Sequence, residues 1–137
     1  MTLKAVRKAV ADAISAAIPT LNVFAWEPGS VVAPAVVIRI EPFPFDTTYE
    51  AGHGQSSDPT LIALVLCQLG DAEAQDFLDD LIDPTNPAGI PEAIEKDVTL
   101  GGIVEYAAVA ALRNYGIVEY GGVQYTGASL AISTGFH

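Results

Sequence analysis

The stretch TLIALVLCQL, residues 60–69, decides the fold because it is apolar at both alternating sets of positions. Successive side chains of a β-strand point to opposite faces of the sheet, so a strand that is apolar on both sets is covered on both faces. We therefore expect this segment to be a central strand. Gly70 and Asp71 follow it and end it.

Two further strands are predicted on the N-terminal side of this segment. The run AVVIRI, residues 35–40, is rich in β-branched residues, and LNVFAW, residues 21–26, is a shorter apolar run before the turn EPGS. Residues 3–18 repeat apolar side chains at helical spacing, which predicts an amphipathic helix that stops at Pro19. The chain therefore begins with a helix and then enters the sheet.

Two helices are predicted after the central strand. Asp71 is placed to cap the first of them, whose inward positions would be Ala74, Phe77, Leu78, Leu81 and Ile82. A shorter helix follows, with Pro91 in its first turn, where a missing backbone N–H costs little.

Three more strands are predicted in the C-terminal part of the chain. Residues 103–112 alternate, and the segments 117–120 and 123–134 flank the pair Gly121–Gly122, which suits a hairpin turn. The pair Gly101–Gly102 has no phosphate-loop spacing, so we interpret it as a corner that leads into the sheet. The element order predicts a single α+β domain over residues 1–137, with a mostly antiparallel sheet and helices on one face.

The segment between the second and third strands, residues 45–59, is long, polar and without periodicity. Connections of this length in a compact domain are often functional. We interpret it as a long loop or a β-hairpin arm. The candidate contact residues in this arm are Phe45, Tyr49, His53 and Gln55.

The charge is strongly negative, with 17 acids against six bases and a net charge of −11. Such a chain offers no basic groove for phosphates, which argues against direct DNA binding. Nine of the acids lie within residues 71–97. Four of these lie on one side of the second helix, which suggests a role beyond local helix stability: Asp76, Asp79, Asp80 and Asp83. They lack the loop and glycine of an EF-hand, so we expect no metal there.

The sequence offers only weak candidates for a catalytic site. Cys67 lies within the apolar run and is better explained as a small buried hydrophobe than as a nucleophile. His53 is close to serines and an aspartate in sequence, but a serine triad requires geometry built from distant segments. We expect a protein that is not an enzyme and binds no cofactor. No run approaches the length of a membrane span, so we also expect a soluble chain made in a cytoplasm.

Read as one string, the chain resembles the tail terminator proteins of long-tailed phages, particularly those of actinobacteria. The resemblance extends over nearly the whole chain and depends on the order of several pieces. In order these are LKAVRKAVADAI, LNVFAWEPGSVVAPAVVI, PFPFD, an apolar strand, GDAEAQDFLDDLID, PEAIEKDVTLGGIVEY and YGIVEYGGVQYTGASLAI. The most specific pieces are DAEAQDFLDDLID and DVTLGGIVEY.

This resemblance implies a structural role. Such proteins form a six-membered ring on the last ring of the tail tube, halt its polymerisation and join it to the head connector. Their antiparallel sheet is flanked by helices, and they carry no catalytic residues. The implied partners are further copies of the chain, the tail tube protein and the connector protein, with DNA passing nearby without specific binding. In such a ring, the arm at residues 45–59 would contact a neighbouring subunit or the tube, and Asp76, Asp79, Asp80 and Asp83 would line the lumen or an interface. The implied location is the head–tail junction of a virion assembled in the host cytoplasm.

Three alternatives stay open. One is another head–tail connector or a tail tube subunit, which would differ in assembly partner and ring size. The second is a small-ligand-binding α+β module without a viral role, which would remain monomeric or dimeric. The third is a hydrolase that uses His53 or the acids of the second helix.

Overall fold

The computed structural model describes residues 3–40, 60–70, 72–96, 98–102 and 106–135. It contains three helices and five strands within these ranges. In chain order they are α1 (Leu3–Ala17), β1 (Asn22–Phe24), β2 (Ala35–Ile40), β3 (Thr60–Cys67), α2 (Ala72–Ile82), α3 (Ile90–Glu95), β4 (Tyr106–Tyr120) and β5 (Val123–Gly135). The predicted arm, residues 45–59 with its four candidate contact residues, lies outside the described residues.

The five strands form one sheet in the order β1-β2-β3-β5-β4. Only β1 and β2 are parallel; β2–β3, β3–β5 and β5–β4 are antiparallel. The segment that decides the fold lies in the middle, where Val65 is opposite Val36 on one side and Ala128 on the other. The predicted central strand is confirmed.

All three helices pack on one face of the sheet and build the main core with it. This core joins Ile14 of α1, Leu78 of α2 and Ile94 of α3 to Leu61 and Ile132 of the sheet, and every one of these side chains is at most 1% exposed. Full burial of an aliphatic side chain of this size contributes about 1.5–3 kcal/mol. The α+β class, with a mostly antiparallel sheet and helices on one face, is confirmed.

The other face of the sheet, which we call the back face, has a smaller apolar cluster. Val37, Leu64 and Leu66 pack there with Tyr120 and Tyr125. Val31 and Ala33, from the connection between β1 and β2, complete the cluster. A connecting segment therefore covers part of the face that the described helices leave open.

The prediction of three closing strands is wrong. Residues 106–120 form one 15-residue strand, paired with β5 along its length. The sequence Arg113-Asn114-Tyr115-Gly116 looks like a break, but it forms a bulge in which Asn114 has φ 55° and Gly116 has φ 137°. Pairing with β5 resumes at Gly116, because the bulge absorbs the extra residues without ending the strand.

The glycine pair before β4 is a corner, as predicted. Leu100, Gly101 and Gly102 have φ values of 51°, 73° and 89°, and the amide of Gly102 donates to the carbonyl of Thr99 at 3.0 Å. A left-handed backbone is strained for residues with a β-carbon, so glycines suit this step. Leu100 accepts the strained conformation and is buried in the main core.

Candidate functional site

The outer edge of the sheet is formed by β4. This strand pairs with β5 on one side, and no strand of the described residues pairs with its other side. The backbone amides and carbonyls along that side are therefore a template for another strand. With 15 residues, β4 is far longer than β1, the three-residue strand at the opposite edge.

Two large aliphatic side chains of β4 are exposed. Leu112 is opposite Leu130, and Ile117 is opposite Thr126, so both lie on the face that carries the helices. Leu112 is 49% exposed and Ile117 is 71% exposed, so the described helices leave both side chains uncovered. An apolar pair beside an unpaired edge is typical of a surface that another chain covers.

The edge has little of the protection that proteins use against unwanted pairing. Lysine, proline and inward-facing charges commonly prevent an edge from adding a strand. In β4 the only charged residues are Arg113 and Glu119, and the strand contains neither lysine nor proline. Two register irregularities interrupt the strand, one between Val109 and Ala111 and the bulge at residues 113–116, and they divide the edge into three pairing segments.

Helix α2 is tied to this edge by Tyr115. The tyrosine hydroxyl donates a hydrogen bond to the Asp79 carboxylate and accepts one from the Gln75 amide at 3.0 Å. The bond to Asp79 raises the pKa of Tyr115 above its usual range, because the carboxylate stabilises the protonated phenol. The bulge therefore places a side chain that fixes α2 next to β4.

The four candidate acids of α2 separate into two pairs. Asp79 is bound by Tyr115, and Asp83 accepts hydrogen bonds from the amide and hydroxyl of Thr85, at 2.8 and 2.7 Å. The amide bond, and then the hydroxyl bond, lower the pKa of Asp83. Asp76 and Asp80 are exposed, and their carboxylates have no hydrogen bond to a described residue. Of the four acids, only Asp76 and Asp80 are therefore open to a partner.

The back face is closed by two tyrosines near the tip of the β4–β5 hairpin. The hydroxyl of Tyr120 donates to the carbonyl of Pro28, and that of Tyr125 donates to the carbonyl of Val31 at 3.2 Å. Both side chains are buried, at 8% and 7% exposure. These bonds fix the connection between β1 and β2 against the sheet.

Arg39 adds a charged contact at the same place. Its guanidinium pairs with Glu27 and lies 5.8 Å from the centroid of the Tyr120 ring. Burial, and then the nearby charge of Glu27, raise the pKa of Tyr120. The contacts explain the tyrosines at positions 120 and 125 as packing residues.

Two observations bear on the catalytic and metal-binding alternatives. Cys67 is 1% exposed, and burial raises the pKa of its thiol to about 11, which disfavours the reactive thiolate. Among the described residues no three His, Cys, Asp or Glu side chains are grouped so that they could hold a metal ion. No described helix is long and apolar enough to cross a membrane. His53 lies outside the described residues.

The long edge strand is not apparent from the sequence. The pattern predicts two strands where β4 forms one, and it does not indicate that Leu112 and Ile117 are exposed. A signal was present: from position 106 to 120 only two residues are charged, which is unusual for an exposed strand. Nothing local in the sequence shows that the bulge continues the strand, because its continuity depends on pairing with β5.

Comparison with protein-family models and with curated protein sequences gave no match for this chain.

Proposed function

We propose that this protein is a structural subunit of a long-tailed phage, a tail terminator that caps the end of the tail tube as a ring. In this role it stops tube polymerisation and offers a surface to the head connector. The proposal combines the sequence resemblance with the architecture of the sheet. Its partners are further copies of itself, the tube protein and the connector protein.

The observation that carries the proposal is the β4 edge. A 15-residue strand whose outer side pairs with no strand of the described residues, and on which Leu112 and Ile117 are exposed, is a liability for a protein that remains a monomer. In a ring, the next subunit covers this edge. The two ends of the sheet differ, because β1 is short and parallel to its neighbour while β4 is long and antiparallel. A contact between unlike surfaces builds rings when the rotation between subunits closes.

Two further features support an assembly role. The α+β architecture, with a mostly antiparallel sheet and helices on one face, agrees with the fold that the resemblance implies. The net charge of −11 suits a ring through which DNA passes, because negative surfaces repel phosphates over about 10 Å at moderate salt.

The test is a substitution at the edge. Ile117→Lys places a charge on β4 at an exposed position, so the fold should survive while self-association is lost. Val32→Lys is the matched control, since Val32 is 75% exposed and lies in the connection between β1 and β2. Light scattering gives the mass of each variant, and negative-stain imaging shows rings and capped tube ends.

The expected result is that the wild-type protein and Val32→Lys form rings or cap purified tail tubes, whereas Ile117→Lys does neither. Thermal unfolding confirms that each variant is folded. Failure of the folded wild-type protein both to self-associate and to bind tube ends would overturn the proposal. A ring that binds the connector but not the tube would instead indicate the related connector role.

A further inference from the structure

A groove runs between α1 and β1, at the end of the sheet opposite to β4. It has a volume of about 450 Å³, and its lining includes Ala11 and Ser15 of α1, Val23 of β1, and Ala25 and Trp26, which follow β1. Trp26 is 56% exposed, so more than half of its surface faces solvent in the single chain. A groove beside a large exposed apolar side chain is typical of a surface that another chain covers.

The exposed aliphatic side chains of β4 lie on the same face of the sheet as this groove. Leu112 and Ile117 are on the face that carries the helices, and the groove is formed where α1 packs on that face. Their partners in β5, Leu130 and Thr126, are four residues apart, which is about 13 Å along a strand. The lining residues of α1 extend from position 4 to position 15, about 16 Å along the helix. The groove is therefore long enough to receive both side chains.

The two edges of the sheet also run in the directions that a pair of strands needs. Strand β1 is parallel to β2, and the pairings β2–β3, β3–β5 and β5–β4 are all antiparallel, so β4 is antiparallel to β1. No strand of the described residues pairs with the outer side of either. A second copy placed beside β4 with its helices on the same side therefore brings its β1 alongside in the antiparallel orientation. With three residues, β1 fits within one uninterrupted pairing segment of β4.

The charges at the two ends of the sheet are complementary. The groove is lined by three bases and one acid, a net charge of +2: Lys4, Arg7, Lys8 and Asp12. At the β4 end the charges are negative. Asp79 binds Tyr115, and the charges of Asp79 and Asp76 add to that bond in raising the pKa of Tyr115, so both carboxylates lie beside the edge. Glu119 lies on the same face of β4 as Ile117 and is exposed. In a chain with a net charge of −11, this attraction favours a second copy in one orientation.

We propose that the groove between α1 and β1 receives Leu112 and Ile117 from the β4 edge of a second copy of this chain, and that β4 and β1 pair across the contact. The sheet then continues from one subunit into the next, and Trp26 is covered by the neighbour. Each copy offers one β4 edge and one groove, so the contact is head to tail and can repeat around a ring. The inference rests on the proposed ring function, and it names the two surfaces that meet between neighbouring subunits.

Cross-linking between single-cysteine variants tests this contact. Copies with Leu112→Cys or Ile117→Cys are mixed with isotope-labelled copies with Lys8→Cys or Ser15→Cys and treated with a short bifunctional maleimide, in solution and on tube ends. The native Cys67 is 1% exposed and stays in place. We expect links between unlike chains, joining the β4 edge to the groove, and few links between like chains. Val32→Cys is the control, because Val32 is 75% exposed but lies in neither surface.

A variant that fills the groove gives a second readout. Ser15 is exposed on α1, so Ser15→Trp should fold and place an indole where the neighbour's side chains enter. We expect it to weaken self-association by about tenfold or more in sedimentation velocity. Ala16→Trp is the matched control, since Ala16 is also exposed on α1 but lines a different groove, beside Gly101. Thermal unfolding confirms that both variants are folded.

Links between two β4 cysteines without any link to the groove would overturn this inference, because they indicate that β4 pairs with β4. Self-association of Ser15→Trp equal to that of Ala16→Trp would overturn it too. Six-membered rings that persist in images alongside either result leave the ring proposal standing. A wild-type protein that never self-associates, in solution or on tube ends, also overturns the inference, and the tube-capping assay then decides the proposed function by itself.

Discussion

Tyr115 of β4 donates a hydrogen bond to Asp79 of α2, although the two residues are 36 positions apart in the chain. The bond joins the bulge of the edge strand to the helix that carries the exposed acids. It therefore sets the position of those acids relative to the edge through which we propose that subunits meet. Tyr115 is therefore a positioning residue for the acids of α2.

The Tyr115→Phe variant tests this relationship. Without the hydroxyl, α2 loses its link to β4, so we expect faster hydrogen exchange in the amides of α2 while the core strands are unchanged. Gln75 also loses its partner, since its amide donates to the same hydroxyl. Unchanged exchange in α2 would show that the bond does not hold the helix.

The same bond predicts a dependence on pH. Because the pKa of Tyr115 is raised in the folded protein, its stabilising contribution is complete below the ordinary tyrosine pKa of about 10 and is lost as the pH rises through the folded value. Ultraviolet titration of tyrosinate should show the late ionisation of Tyr120, whose pKa is also raised, and a second late-ionising group that is missing in Tyr115→Phe. Asp79→Asn should bring the ionisation of that group to lower pH.

A second substitution tests the closure of the back face. Tyr120→Phe keeps the ring in its buried site but leaves the carbonyl of Pro28 without its donor. We expect the free energy of unfolding to fall by about 1 kcal/mol. Tyr106→Phe is the control, because Tyr106 is 47% exposed and should change the stability by less than about 0.5 kcal/mol. Equal effects in chemical denaturation would contradict the role of the Pro28 contact.

A third substitution tests the packing of β5 against the central strand. A β-carbon at Gly127 would lie 2.5 Å from the carbonyl oxygen of Val65, a contact that backbone atoms cannot relieve without moving. We expect Gly127→Ala to lower the free energy of unfolding by about 2 kcal/mol. Gly29→Ala meets nothing within 4 Å and should remain within about 0.5 kcal/mol of wild type. A melting temperature of Gly127→Ala equal to that of Gly29→Ala would show that the sheet relaxes there.

The elements that the sequence predicts well are those whose signal is local. Residues 60–67 are apolar on both faces and become the middle strand, and the spacing of Val6, Val10 and Ile14 places α1 on the core. Pro19 and the glycine corner at 101–102 also act locally, by limiting or permitting particular backbone angles. These features need no knowledge of distant parts of the chain.

What the sequence does not reveal depends on contacts between distant residues. The stripe Asp76, Asp79, Asp80 and Asp83 is visible as a pattern, but its division into bound and open pairs depends on Tyr115 and Thr85. The edge position of β4 depends likewise on the order of all five strands. The sequence therefore predicts the acids of the candidate surface, but it does not predict that β4 is the edge strand.

The proposal that this protein forms a ring on the tail tube is tested most directly by the mass and shape of the purified protein. Light scattering and negative-stain imaging measure these with and without isolated tail tubes. We expect hexameric rings, in solution or at tube ends, built from the 14.3 kDa chain. A folded protein that stays at 14.3 kDa at every concentration and leaves tube ends bare would contradict it.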